Sequence, residues 1–170
     1  MRIFSLKNLL LVSQIILIKF VTPAKNNLAS RAPKNSVKVG VKEYPDASNY
    51  KGQLITDSNG DQIRHGQGTM TYRDGSSFTG NYVNDIKQGF GTFKYSNKDS
   101  VKNKYIGKSY SGNYKNDIIN GQGKMIFKTG AVYNGNWKNN KRHGKGTNIW
   151  PDGAKYVGEF HFDKIQGMGK

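Results

Sequence analysis

A 23-residue repeat constrains this chain more than any other feature. Tyr110, Tyr133 and Tyr156 follow one another at that interval. Each opens the same run: an aromatic, a glycine two residues on, an aromatic two after that, then Gly-x-Gly, apolar positions and a turn. The copy at Tyr110 passes through Gly112, Tyr114, Gly121, Gly123, Met125, Phe127 and Gly130. The copy at Tyr133 passes through Gly135, Trp137, Gly144, Gly146, Trp150 and Gly153. Two looser copies precede them, one from Phe78 through Gly80, Tyr82, Gly89, Gly91, Phe93 and Tyr95, the other from Tyr50 through Gly52, Leu54, Gly66 and Gly68. Their wider spacing places insertions within residues 97–109 and ahead of Gly66, where loops absorb them.

Side chains alternate faces along a strand, so Tyr110, Gly112 and Tyr114 share one face while Ser111, Asn113 and Lys115 share the other. A glycine between two aromatics on one face leaves room for a ring to lie over the backbone. The segment Asn116-Asp117-Ile118-Ile119-Asn120 reads as a turn of five or six residues, after which the return strand keeps the same parity through Gly121, Gly123, Met125 and Phe127. Each unit is therefore expected to be one β-hairpin. A lone hairpin is marginal in water, so about five must stack into one antiparallel sheet. The predicted fold is all-β, a single-layer twisted sheet of hairpin repeats over residues 50–170. Its last repeat stops at Lys170 after Gly167-x-Gly169. Composition agrees, because only 35% of residues are apolar, 21 are glycine, and the apolar material after residue 45 is mainly aromatic. A core drawn from such a supply is thin and extended.

The run Tyr-x-Gly-x-Trp-x-x-Asn-x-x-x-x-Gly-x-Gly that begins at Tyr133 resembles the membrane occupation and recognition nexus (MORN) repeat. The resemblance covers residues 50–170, with Leu54 standing where an aromatic is usual and Lys98 replacing the late turn glycine of the second copy. It implies a groove-like sheet that acts as an interaction module, in some members beside a membrane or within a large assembly.

Residues 1–22 read as an apolar, helical targeting or anchoring segment. Arg2 and Lys7 precede its apolar stretch, and Lys19 and Lys25 close it. Thr22-Pro23-Ala24 fits a signal-peptide cleavage site, the absence of acidic residues before Glu43 fits a mitochondrial presequence, and a retained membrane helix is a third reading. Eighteen asparagines without one Asn-x-Ser/Thr sequon lean away from the secretory route. A membrane-associated place in an organelle, the mitochondrion first, is ranked ahead of secretion and of the cytosol or cilium. Residues 23–49, with Pro23, Pro33 and Pro45, read as an extended basic linker.

The formal charge of +16 splits unevenly, +7 over residues 1–45 and +9 over the rest, and both parts favour anionic partners. Lys138, Lys141, Arg142 and Lys145 gather around one hairpin tip and form the candidate contact for anionic lipid headgroups. With no cysteine there is no disulfide framework, thiolate zinc site or cysteine catalysis. His65 and His143 occupy the same slot of different repeats, which separates them, so neither a metal nor a cofactor is expected. No paired carboxylates and no nucleophile with its base stand out, and the chain is read as a non-enzyme.

Its expected role is a structural or scaffold subunit that binds other protein subunits, with anionic phospholipid binding as the alternative. The candidate partner groove comprises Tyr82, Phe93, Tyr95, Tyr110, Tyr114 and Phe127, followed by Tyr133, Trp137, Trp150, Tyr156 and Phe160. Nucleic acid ranks below both, because the rings are needed for the sheet's own core. The unpaired ends of the sheet leave room for a second copy, giving a homodimer.

Overall fold

A computed structural model describes residues 36–96 and 107–170. They form eleven strands in one antiparallel sheet whose spatial order is the chain order. The strands are β1 (Lys38–Glu43), β2 (Asn49–Thr56), β3 (Gln62–Thr71), β4 (Ser77–Val83), β5 (Ile86–Lys94) and β6 (Gly107–Lys115), then β7 (Ile118–Phe127), β8 (Val132–Lys138), β9 (Lys141–Ile149), β10 (Lys155–His161) and β11 (Lys164–Gln166). The expected segment 1–22 lies outside the described residues. Part of the expected linker does not behave as one: Lys38–Glu43 pairs with β2, matching Gly40 to Gly52 and Lys42 to Tyr50. The sheet thus begins before Tyr50, because the β-branched Val39 and Val41 alternate with Lys38, Gly40 and Lys42 in the two-residue period of a strand.

The hairpin turns are tighter than the spacing suggested. Asn84-Asp85, Asn116-Asp117, Asn139-Asn140 and Phe162-Asp163 have φ between 47° and 73° at both residues, the mark of two-residue type I′ turns. Ile118, Ile119 and Asn120 already belong to β7. The remaining residues are taken up by a bulge. Gly112 pairs with Gly123 but Tyr114 pairs with Ile119, and between them Gly121 turns at φ 108°. The two glycines of Gly-x-Gly therefore do different work. The first supplies the left-handed bulge residue and the second seats a ring.

Those second glycines belong to a continuous lane. Gly40, Gly52, Gly68, Gly80 and Gly91 are cross-strand partners in succession, and Gly112, Gly123, Gly135, Gly146 and Gly158 continue the series, one glycine from each of β1 to β10. Tyr50, Phe78, Tyr110, Tyr133 and Tyr156 lie flat across the lane. A Cβ at Gly135 would stand 2.7 Å from the Tyr133 Oη, and one at Gly80 would stand 2.6 Å from the Phe78 Cζ. The tyrosine hydroxyls then reach the strand backbone, Tyr50 donating to the Gln53 carbonyl at 2.9 Å and Tyr133 to the Asn136 carbonyl at 2.8 Å.

Onto each flat ring the next repeat presents an edge. Tyr50, Tyr82, Phe78, Tyr114, Tyr110, Trp137, Tyr133, Phe160 and Tyr156 form an unbroken series of edge-to-face pairs, with centroids 5.0–5.5 Å apart and planes at 82–89°. Such pairs contribute about 0.5–1.5 kcal/mol each beyond burial. The Trp137 Nε1 also donates to the Gly123 carbonyl at 3.0 Å, tying consecutive repeats. In this way one layer buries a core without a second layer to cover it.

A second device locks neighbouring hairpins. The last residue of each I′ turn exchanges two hydrogen bonds with the return strand of the hairpin before it. Asp85 N donates to the Arg64 carbonyl at 2.9 Å while its Oδ1 accepts from Arg64 N at 2.8 Å. Asp117 makes the same exchange with Lys87, Asn140 with Ile119, and Asp163 with Arg142. Asp or Asn is needed there as acceptor, and Asn is also among the residues that tolerate positive φ.

Candidate functional site

The ring series alters the meaning of the candidate groove. Tyr82, Tyr110, Tyr114, Tyr133, Trp137 and Phe160 are all at most 6% exposed and are the core itself. Burial pushes the Tyr50 and Tyr133 hydroxyls up to about 12 and raises those of Tyr82, Tyr110 and Tyr114 further. These groups hold the sheet together and offer a partner little surface. Phe93, Tyr95, Phe127 and Tyr156 are partly buried against them, and Trp150 is 37% exposed.

What is accessible on this face is an outer aromatic row at the opposite end of the hairpins. Tyr44, Tyr72, Phe127 and Trp150 each begin a turn in which their N–H donates to the carbonyl four residues on, while their own carbonyl accepts from the residue three on. That third residue takes positive φ, as Ala47, Gly75, Gly130 and Gly153 do. Tyr95 holds the equivalent place at the end of β5, its N–H donating to the Lys108 carbonyl at 3.1 Å. Clefts open beside this row. One of about 500 Å³ is lined by Tyr95, Gly107, Met125, Phe127, Trp137, Asn140, Arg142 and Asp163. Another of about 340 Å³ lies between Phe127 and Trp150, beside Thr129, Ala131, Arg142, Asn148 and Pro151.

Tyr44 and Tyr72 were not among the expected groove residues. The signal for them is in the chain, since an aromatic followed by two residues and then Gly recurs at Tyr72, Phe127 and Trp150, and Tyr44-Pro-Asp-Ala47 is the same turn with alanine. The eye is drawn instead to the aromatics beside Gly-x-Gly, which are the ones consumed by packing.

The basic tip divides between faces. Lys138 pairs with Lys141 across the turn and Trp137 with Arg142, so the two pairs point opposite ways. Lys138, Lys141 and Lys145 are exposed. Arg142 is not a free lipid contact, contrary to expectation. Its Nε lies 3.1 Å from the Asp163 Oδ1, its Nη2 donates to the Asp163 carbonyl at 3.0 Å and its Nη1 to the Asn148 Oδ1 at 3.2 Å. It also lies over the rings of Tyr133 and Phe160. Arg64 repeats the arrangement, with its Nε 2.8 Å from the Asp85 Oδ1 and its guanidinium 4.8 Å from the Tyr82 ring.

His143 and His161, on neighbouring strands, come together with ring centroids 5.2 Å apart. Among the described residues no group of three or more His, Cys, Asp or Glu is placed to hold a metal, and no helix is long and apolar enough to cross a membrane.

The MORN repeat family model matches residues 63–77, 78–100, 110–132, 133–155 and 156–170. The chain belongs to the MORN repeat family. The matched segments begin at Phe78, Tyr110, Tyr133 and Tyr156, the rings that lie on the glycine lane, so the MORN period and the ring period coincide. The first match begins at Ile63, inside β3, although Tyr50 and Gly52 on β2 already occupy ring and lane positions. No curated protein matches the chain. MORN repeats are in general modules for interaction with proteins or membranes.

Proposed function

We propose that this MORN protein is a non-enzymatic scaffold or adaptor subunit that takes a segment of a partner protein along its outer aromatic row, within a membrane-associated assembly. The observation that carries this reading is the division of labour among the aromatics. The inner rings are saturated by one another, whereas Tyr44, Tyr72, Tyr95 and Phe127, half-buried, and Trp150, exposed, recur once per repeat, with Tyr95, Phe127 and Trp150 lining open clefts. Aromatics of this kind anchor interfaces. The apolar N-terminal stretch in the sequence supports the membrane association and an organellar, first mitochondrial, location. A second copy joining along β1, where Val39 is 79% exposed on the outermost strand, is the route to a homodimer.

The test compares complexes recovered with the full-length chain and with a Tyr72→Ala/Trp150→Ala variant in cells that make the protein. Loss of the same stoichiometric partner from the variant is the expected result. An unchanged set of partners would refute the reading.

The lipid reading is favoured by one observation, the exposure of Lys138, Lys141 and Lys145 around one hairpin. Co-sedimentation with phosphatidylserine vesicles separates the two readings. A Lys138/Lys141/Lys145→Gln variant that binds as the wild type does removes the lipid model, and leaves the partner model untouched.

A further inference from the structure

Lys87, on the aromatic face, has no carboxylate within ion-pairing distance of its Nζ among the described residues. The slot held by Arg64 and Arg142 in their repeats is held by Lys87 in the repeat between β4 and β5, since Lys87 pairs with Tyr82 as Arg142 pairs with Trp137. Each arginine has its carboxylate, from Asp85 and Asp163 in the following I′ turn. The equivalent aspartate for Lys87 is Asp117. Its Oδ1 accepts from the Lys87 backbone N–H at 3.0 Å, but among the described residues no carboxylate stands within ion-pairing distance of the Lys87 Nζ.

The ammonium lies instead among three rings, 5.3 Å from the centroid of Phe78, 5.6 Å from Phe93 and 5.8 Å from Tyr72. Tyr72 leans on Phe93 at 5.9 Å and Phe93 on Tyr95 at 4.6 Å, so this cation sits within the outer aromatic row. Aromatic faces attract an ammonium but do not neutralise it. The ammonium, with its three donors, lies half-buried in this bowl of rings.

We infer that Lys87 and the rings of Tyr72, Phe93 and Tyr95 form a receptor for an acidic side chain of the partner, a carboxylate flanked by an apolar residue. The molecule shows the chemistry it is missing, because the same slot is closed by an internal carboxylate in two other repeats. A carboxylate in the bowl would accept directly from the ammonium while its neighbour covers the rings. Pairs of this kind are strong where water is partly excluded. The chain's charge of +16 adds long-range attraction for an acidic segment. This inference rests on the outer row being the partner site.

The experiment pans a random peptide phage library on the full chain and measures the affinities of the selected peptides by titration. The expected peptides carry Asp or Glu next to an aromatic or aliphatic residue. They bind about tenfold more weakly to Lys87→Met, which keeps the aliphatic stem, and also more weakly to Lys87→Arg, whose guanidinium would take Asp117 as Arg64 takes Asp85, and are indifferent to Lys138→Gln. Replacement of the acidic residue by its amide in the peptide costs the same factor and removes the effect of Lys87→Met. Peptides that lose affinity with Tyr72→Ala yet lack acidic residues, or bind Lys87→Met as they bind the wild type, overturn this inference and leave the partner site standing. Peptides indifferent to Tyr72→Ala and Trp150→Ala, or no selected peptides at all, overturn both. Phosphatidylserine vesicles that bind in a Lys87-dependent way, with no acidic peptide selected, would assign the bowl to a lipid headgroup and overturn the inference as well.

Discussion

Gly135→Ala is the sharpest perturbation of the glycine lane, because propensity and packing predict opposite signs. In a strand interior, replacing glycine by alanine ordinarily gains about 0.5–1 kcal/mol. At Gly135, however, the new Cβ would lie 2.5 Å from the Gly146 Cα and 2.7 Å from both the Lys145 carbonyl oxygen and the Tyr133 Oη. The first two are backbone atoms of the facing strand, so β8 and β9 must part locally and the ring must lift as well. Lifting Tyr133, which is fully buried, forfeits about 1.5–3 kcal/mol of burial. It also disturbs two edge-to-face pairs, with Trp137 and Phe160, at about 0.5–1.5 kcal/mol each. Set against the propensity gain, the net loss is roughly 2–5 kcal/mol. Urea denaturation of the full chain, followed by tryptophan fluorescence because Trp137 touches the displaced ring, should show the midpoint falling by about 1–3 M at ordinary slopes. Gly40→Ala is the internal control. Its Cβ meets only the terminal Leu54 Cδ1 at 3.2 Å, so its effect should be small. A neutral or stabilised Gly135→Ala would refute the idea that the lane exists to seat rings.

Two other consequences follow from the staples and the buried phenols. Asp163→Ala removes the acceptor shared by the Arg142 N–H and Nε and should cost about 1.5–3 kcal/mol in thermal or urea melts, whereas Lys141→Ala, exposed beside Arg142 at the start of β9, should change little. Stability should fall as pH rises through the ordinary tyrosine value of 10.0. The unfolded chain ionises there, while Tyr50 and Tyr133 keep their protons in the fold to about 12, so the unfolded state binds fewer protons across that window and gains. Urea midpoints measured on both sides of pH 10.0 check the sign, and midpoints that rise with pH would contradict the burial of these hydroxyls.

Much of the fold is legible in the chain, and the reason is local. Tyr133, Gly135 and Trp137 report their shared face through the two-residue alternation of a strand, and the 23-residue interval between Tyr110, Tyr133 and Tyr156 reports that identical units must stack. These inferences need no knowledge of distant contacts. Turn length was less legible. Spacing alone does not separate a five-residue turn from a two-residue turn followed by a bulge, and the difference rests on positive φ at Asn116, Asp117 and Gly121.

The candidate site was legible only in part, because periodicity identifies which aromatics share a face but not which of them will spend that face on one another. The edge-to-face series, which consumes Tyr82, Tyr114, Trp137 and Phe160, depends on how repeats meet across strands. So does the fate of Arg142, drawn away from the basic tip by Asp163 of the next hairpin. What the sequence determined by itself was therefore the unit: a Gly-seated aromatic hairpin, repeated. Tertiary structure alone decided the surfaces left over, the outer aromatic row and the Lys87 ammonium with no carboxylate beside it among the described residues, because exposure and charge balance are properties of neighbours that no single repeat contains.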